Sequence, residues 1–346
     1  MKIKTKQLQN NWKVFTLTNI NGVTVEVLNF GGILTKILTP DKEGRVGNIV
    51  LGYKNMLDYQ HDPNYFGALI GRVAGRIQNA EFVLDGKTYR LKANEGPNHL
   101  HGGNTGLHKV IWNADPFEEE DKLGLKLSYF SKDGENGYPG NVNITVTYTL
   151  TNEDELIINY SATTDKTTVL TLTNHTYFNL SGDLKETIHQ HHVTMDSSRF
   201  AQLDARLLPT GDILDVTNST FDFRSGRALA SGIHSTMDQH NIVGNGYDHY
   251  FIFDQKKPYA VVATEPVSGR VLKMKTTQPG MVMYTSNNLG SNALLNEGMS
   301  KNYLGVCFET QSSPASLHHD GFPSILLNAD ERYQEQTVFK FGTLMN

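Results

Sequence analysis

The sequence predicts an all-β protein: a large antiparallel β-sandwich with few short helices. Three observations carry that expectation. Alternating β-branched and aromatic runs recur from end to end, among them "GVTVEVLNFG", "NVNITVTYTL", "ELIINYSATT" and "QTVFKFG". A period of two is the mark of a half-buried strand. Asn21-Gly22, Asp85-Gly86 and Asp133-Gly134 punctuate these runs, and Asn-Gly or Asp-Gly between alternating segments closes hairpins. Windows with the i, i+3, i+4, i+7 spacing of an amphipathic helix are scarce.

Taken in order, "FVLDGKTYRL" from Phe82 reads as a hairpin on its own, turning at Asp85-Gly86. "LKLSYF", "NVNITVTYTL" and "ELIINYSATT" follow as strands, and "GRALASGIH" is at most a short helical turn. "YAVVATEP", "RVLKMKTT", "MVMYTSN" and "YLGVCFET" continue the β pattern. The stretch "TLTNHTYFNLSG", from Thr171, is unusual. As one strand it places Thr171, Thr173, His175, Tyr177 and Asn179 on one face, and Leu170, Leu172, Phe178 and Leu180 on the other. The polar face holds short hydroxyls and planar hydrogen-bonding groups around one imidazole, a wall expected to face a polar ligand. No Pro/Ser-rich linker or charge run divides the chain, so a single domain over residues 1–346 is expected.

The bulk numbers narrow the function classes. The chain has 346 residues, a net charge of −5 and one cysteine, Cys307. No basic cluster is present to neutralise a row of phosphates, which argues against nucleic acid and against an anionic membrane surface. One cysteine excludes an internal disulfide framework and fits a reducing compartment. "MKIKTKQLQNNWKVF" has no apolar signal region and no stretch approaches 18 apolar residues, so the expected location is cytoplasmic.

Several constellations carry candidate chemistry. In "NHLHGG", His99 and His101 would share one face of a strand; a metal pair, two neutral hydrogen-bonding imidazoles and a turn entry without a role are the readings. Glu309 in "CFETQSSP" enters a mostly uncharged strand, where lost solvation raises a carboxyl pKa towards the range of a general base. Arg72 and Arg76 in "GRVAGRIQN" offer forked donors, and Asp248 in "GNGYDHYF" suits capping, turning or polyol binding. In "IHQHHV", His189 and His191 would share a strand face with His192 opposed; without a carboxylate or cysteine at ligand spacing, an exposed edge is expected rather than a metal site. There is no nucleophile elbow, no Gly-rich phosphate cradle and no zinc-finger spacing. Neutral donors and acceptors, aromatics, histidines, an Arg, an Asp and a Glu suit a sugar.

The ordered set "GRVAGRI", "LHGG", "NGYPGN", "TNHTYFNLSG", "GYDHYF", "TTQPG" with "YTSN", and "FETQSSP" resembles the aldose 1-epimerase (galactose mutarotase) family along nearly the whole chain. The resemblance implies a large β-sandwich with a sugar site in its concave face. It implies Glu309 as catalytic base and His175 as catalytic acid. It implies His101, rather than His99, as the second active-site histidine, and Arg76, Asp248, Gln278 and Tyr284 as substrate-binding positions. Tyr177, on the His175 face, adds to that wall. An aldohexose is the expected small-molecule partner. No metal or organic cofactor is expected, and the protein is expected to be a monomer or homodimer.

Two departures from the family pattern bear on sugar preference. Gly75 stands where many members have Asn, so one polar contact is lost or supplied by Asn79. The run "SSPASLHH" after the base also differs. The mechanism requires Glu309 ionised and His175 protonated together, hence an acid whose pKa lies above that of the base. The alternatives are an epimerase of a phosphorylated hexose, with Arg72 as the extra cation, a non-catalytic sugar-binding module, and a metal enzyme using His99, His101 and Glu309.

Overall fold

The computed structural model describes residues 1–344. Three sheets dominate. A nine-stranded sheet runs in the spatial order Asn113–Glu118, Lys122–Ser131, Val142–Thr151, Glu155–Thr164, Arg332–Thr343, Arg270–Thr276, Val261–Thr264, His192–Met195, Arg227–Ala228. A six-stranded sheet runs Tyr177–Phe178, Val306–Thr310, Gly280–Tyr284, Asp248–Phe253, Ser197–Leu203, Pro209–Asp215. A five-stranded meander is formed by Lys2–Gln7, Lys13–Thr18, Thr24–Leu28, Ile33–Pro40 and Val46–Asn48. Neighbouring strands are antiparallel. Among the described residues, α-helix is confined to Ala230–Ile233 and Asp238–Ile242, which places a helical turn where "GRALASGIH" predicts one. Among the described residues no helix is long and apolar enough to cross a membrane.

The alternation read in the sequence is the alternation of burial. Along Glu155–Thr164 every second residue, from Leu156 to Thr164, is buried and those between are half-buried. Leu156 and Ile158 meet Val146, Leu125 and Leu127 of the same sheet, Phe15, Leu17 and Val25 of the meander, and Phe251, Met281 and Phe308 of the six-stranded sheet in one core. Each such side chain contributes about 1.5–3 kcal/mol on leaving water. The predicted hairpin is present, with Glu81–Leu84 paired to Lys87–Arg90. Asp85 and Gly86 have φ of 50° and 73°, as a type I′ turn demands.

The segment from Thr171 differs from its expectation. It is not one strand with a wet face. Thr168–Val169, Thr173–Asn174 and Tyr177–Phe178 pair with three different partners: Leu326–Leu327, Leu69–Ile70 and Val306–Cys307. Both faces are buried, with Thr171, Thr173 and Asn179 at 0 % exposure. Thr171 and Asn179 spend their polar groups on protein carbonyls, and of this face only His175 and Tyr177 reach a cavity. Thr171 donates to the Ser312 carbonyl at 3.2 Å, and Asn179 to those of Leu304 and Glu186 at 2.7 and 2.8 Å. Period two marks which side chains share a face; it does not say whether that face meets water or another layer.

Candidate active site

One face of the six-stranded sheet floors a cavity of about 300 Å³. Register explains how. Asp248 lies opposite Tyr284, which lies opposite Cys307; Tyr250 lies opposite Val282, which lies opposite Glu309. Residues two apart on a strand share a face, so Asp248, Tyr250, Val282, Tyr284 and Glu309 all line the cavity. The intervening Phe251, Met281, Met283 and Phe308 face the core. Loops at 63–65, 75–76, 95–101, 203–209 and 313–314 make the walls.

Most sequence-predicted site residues meet here: Glu309, His175, His101, Arg76, Asp248, Tyr177 and Tyr284 line the same cavity. His175 Nε2 is 3.5 Å from Glu309 Oε1, and the His101 and His175 rings stand edge to face at 5.3 Å. Arg76 forms a two-bond fork to Glu95, both bonds 2.7 Å, and its other terminal nitrogen is 4.0 Å from Asp248 Oδ2. Tyr177 contributes its ring; its hydroxyl donates to the Asn64 carbonyl at 2.9 Å.

Gln278 is outside the cavity lining. Its amide donates to the Tyr333 hydroxyl at 2.9 Å, which commits the polar end of the side chain to another part of the molecule. Asn79 is likewise not in the lining, so it does not replace the contact missing at Gly75. The expected His99–His101 face does not form. The strand ends at Leu100, and His101 has φ of 53°, which breaks the alternation. His99 is fully buried, bonded to the Lys92 carbonyl at 2.7 Å and set edge-on to Tyr138. The metal trio His99, His101, Glu309 is therefore not assembled. His101, His175 and Glu309 do offer ligand atoms within 4.8 Å of one another. However, His101 Nδ1 accepts the Gly75 amide at 3.1 Å, which puts the proton of the neutral ring on Nε2 and makes that atom a donor.

Arg72, the other arginine of its motif, is 3 % exposed and donates to the Ser131, Lys132 and Pro139 carbonyls. The "IHQHHV" run is not an exposed strand edge either. Ile188–Gln190 is a 3₁₀ turn, His191 is buried and accepts the Leu180 amide at 2.8 Å, and of the three histidines only His192 is exposed.

The electrostatics follow from dryness. Burial, reinforced by the charge of Asp248 and opposed by Arg76, raises the Glu309 carboxyl well above the carboxylate range. That is the direction expected from sequence. Burial also lowers His175 to about 4. The expectation that the acid's pKa lies above the base's is thus reversed. Desolvation penalises carboxylate and imidazolium alike, so each group is pushed towards its uncharged form. His101 is lowered by burial and by the nearby His175 and Arg76. Cys307, beneath the pair, has Sγ 3.6 Å from His175 Nδ1, and burial keeps it a thiol.

Tyr65, Glu95, Tyr250 and Gln311 also line the cavity, and the sequence reading gave none of them a role at the site. Glu95 precedes the Gly96-Pro97 turn, but its partner Arg76 is 19 residues away and no local spacing joins them. Gln311 sits two residues beyond Glu309, and strand parity alone would have found it.

A family model described as aldose 1-epimerase matches residues 13–340. The galactose mutarotase of Sus scrofa is 39 % identical over 92 % of this chain and 91 % of its own length. The aldose 1-epimerase of Haemophilus influenzae is 32 % identical over 95 % and 96 %. Among solved structures, the galactose 1-epimerase of Lactobacillus acidophilus superposes with a TM-score of 0.89 at 29 % identity, covering 99 % of both chains. The aldose epimerase homologue of C. elegans superposes with a TM-score of 0.87 at 30 % identity, covering 99 % of this chain and all of its own.

Proposed function

We propose, from the premise that the chain belongs to the aldose 1-epimerase family, that Glu309 and His175 interconvert the α and β anomers of an aldohexose of the galactose or glucose type. The activity is that of an isomerase, a mutarotase. One observation carries the assignment: an acid and a base 3.5 Å apart on the floor of a sugar-sized cavity. Ring opening removes the proton of the C1 hydroxyl and places one on the ring oxygen. Both oxygens are bonded to C1, so the two catalytic groups must converge on one carbon.

The pair works with one proton. In the ionised form Glu309 takes the C1 hydroxyl proton while protonated His175 supplies the ring oxygen. The aldehyde turns about C1–C2, and closure with the roles reversed gives the other anomer. The uncharged form favoured by burial differs from the ionised one only by a proton moved from Glu309 to His175, and the hydroxyls of a bound sugar solvate both charges. His101, held as an Nε2–H donor, and the Arg76 terminal nitrogen that Glu95 does not hold bind the oxygens near C1. Asp248 accepts from hydroxyls further round the ring. Acid and base each contribute on the order of 10²–10⁴-fold, and positioning adds to this.

A phosphorylated hexose fits less well. Among the described lining residues Arg76 is the only Lys or Arg, against three carboxylates in Glu95, Asp248 and Glu309. The test is optical rotation of freshly dissolved α-D-galactose, and separately α-D-glucose, with and without the protein. Faster decay to the same final rotation is expected, and the two rates rank the sugars. Decays matching buffer for both would overturn the reading.

A further inference from the structure

Four tyrosines line the cavity, and their hydroxyls differ in what they already hold. Tyr177 donates to the Asn64 carbonyl at 2.9 Å and Tyr250 to the Gln311 carbonyl at 3.1 Å. Tyr284 accepts the Asn288 amide at a long 3.5 Å. The Tyr65 hydroxyl bonds to no described residue; its environment is burial and the charges of Glu95, Asp62 and Arg76, which together leave its pKa raised to about 12. A phenol in that state is a neutral donor and acceptor facing a polar cavity.

The backbone says that this placement is over-determined. Tyr65 has φ of 58°, a region that bulky residues avoid and that persists only where the surroundings enforce it. The enforcing contacts lie on both sides. The buried Asp62 carboxylate accepts the amides of Asn64 at 2.8 Å and Phe66 at 2.7 Å. Gly67 donates to the His175 carbonyl at 3.0 Å, and the His175 amide donates to Ala68 at 2.9 Å. The clamp that bends the chain at Tyr65 is therefore built on the main chain of the proposed acid. The ring it delivers stands edge-on to His101 at 4.9 Å and His108 at 4.8 Å, and 5.8 Å from the His175 ring at 32°.

We infer that Tyr65 is a substrate-binding residue whose phenol hydrogen-bonds one hydroxyl of the sugar while its ring, wedged among the three histidines, walls the C1 end of the site. The inference rests on the mutarotase reading and adds to it a contact that sets preference among sugars.

The test is a cycle of enzyme variant against substrate hydroxyl. Catalysed mutarotation of D-galactose and of its 2-, 3-, 4- and 6-deoxy analogues is measured for the wild type and for Tyr65→Phe, over the buffer rate for each sugar. For galactose, Tyr65→Phe lowers kcat/KM by about 3- to 10-fold, the value of one neutral hydrogen bond. For one deoxy analogue, the one lacking the bonded hydroxyl, wild type and variant become equal. The melting temperature is unchanged, because the hydroxyl holds nothing in the protein. An unaltered galactose rate, or a rate lowered equally for galactose and all four analogues, would overturn the contact, as would a fall in melting temperature that accounts for the lost activity. Should the Phe variant not fold, the phenol has a structural role and the inference fails. A wild type that accelerates none of the sugars removes the mutarotase reading itself, and the contact with it.

Discussion

A β-carbon at Gly75 would stand 3.0 Å from Pro314 Cγ and 3.4 Å from Gln311 Nε2. The two positions at which this chain departs from the resembled pattern, Gly75 and the run after Glu309, therefore touch. Gly75 has φ of 87°, which asparagine tolerates better than most residues. The proline ring crowds a side chain at this position. Gly75→Asn is expected to destabilise the protein by about 1–3 kcal/mol, as overpacking does. Pro314→Ala in the same chain recovers most of that loss, and denaturant melts of the two single variants and the double read the coupling. Additive losses would mean that the contact does not decide the residue at 75.

Glu309→Gln keeps the shape of the side chain and cannot take a proton. Its kcat is expected to fall by about 10²–10⁴-fold with KM nearly unchanged. His175→Asn should do the same. The wild-type profile is expected to be bell-shaped, with limbs that belong to the pair rather than to either residue. The acid limb, where the pair takes a second proton, lies near the lowered His175 value of about 4. The alkaline limb lies above the ordinary carboxylate range, because burial raises Glu309. Polarimetric rates from pH 3 to 9 check this, and Glu309→Gln with full activity would remove it as base.

Arg76 is aimed by Glu95 through two 2.7 Å bonds. Glu95→Gln breaks the fork and frees the guanidinium. Hydrogen bonds to charged groups are worth about 1.5–3 kcal/mol, so KM is expected to rise roughly tenfold or more, with a smaller change in kcat. Steady-state rates across sugar concentration separate the two. A change confined to kcat would place Glu95 in the chemistry instead.

Burial holds several histidines neutral, among them His175 and His191, lowered to about 4, and His108 and His249, lowered to about 3. Each folded-state pKa lies below the unfolded value near 6.5. Their contribution to stability is present above pH 6.5 and is lost as pH falls towards 4, because the unfolded chain binds the protons first. Asp62, raised to about 6 chiefly by burial, runs the other way over pH 4 to 6 and offsets part of the loss. The melting temperature is expected to drop between pH 7 and pH 4.5. His191→Gln keeps an acceptor for the Leu180 amide and should shallow that slope. A flat profile in the wild type would contradict the neutral state of these rings.

Local pattern carried the β class, the Asp85-Gly86 hairpin and the helical turn near Ala230, because alternation and turn chemistry act within a few residues. The ordered motifs carried the family and named six residues that line one cavity, and the strand face of His175 added Tyr177. Tertiary structure decided the rest. Whether the Thr171–Asn179 face is wet depends on which layer covers it, and period two is silent on layers. His99 and His101 part company because the backbone turns to φ 53° at His101. The Arg76–Glu95 fork, the Gly75–Pro314 contact and the clamp that sets Tyr65 beside His175 each join segments far apart in the chain. The order of the two catalytic pKa values depends on how completely the cavity excludes water. No spacing in a sequence encodes such a distance or such a dielectric; both arise only when separate segments pack.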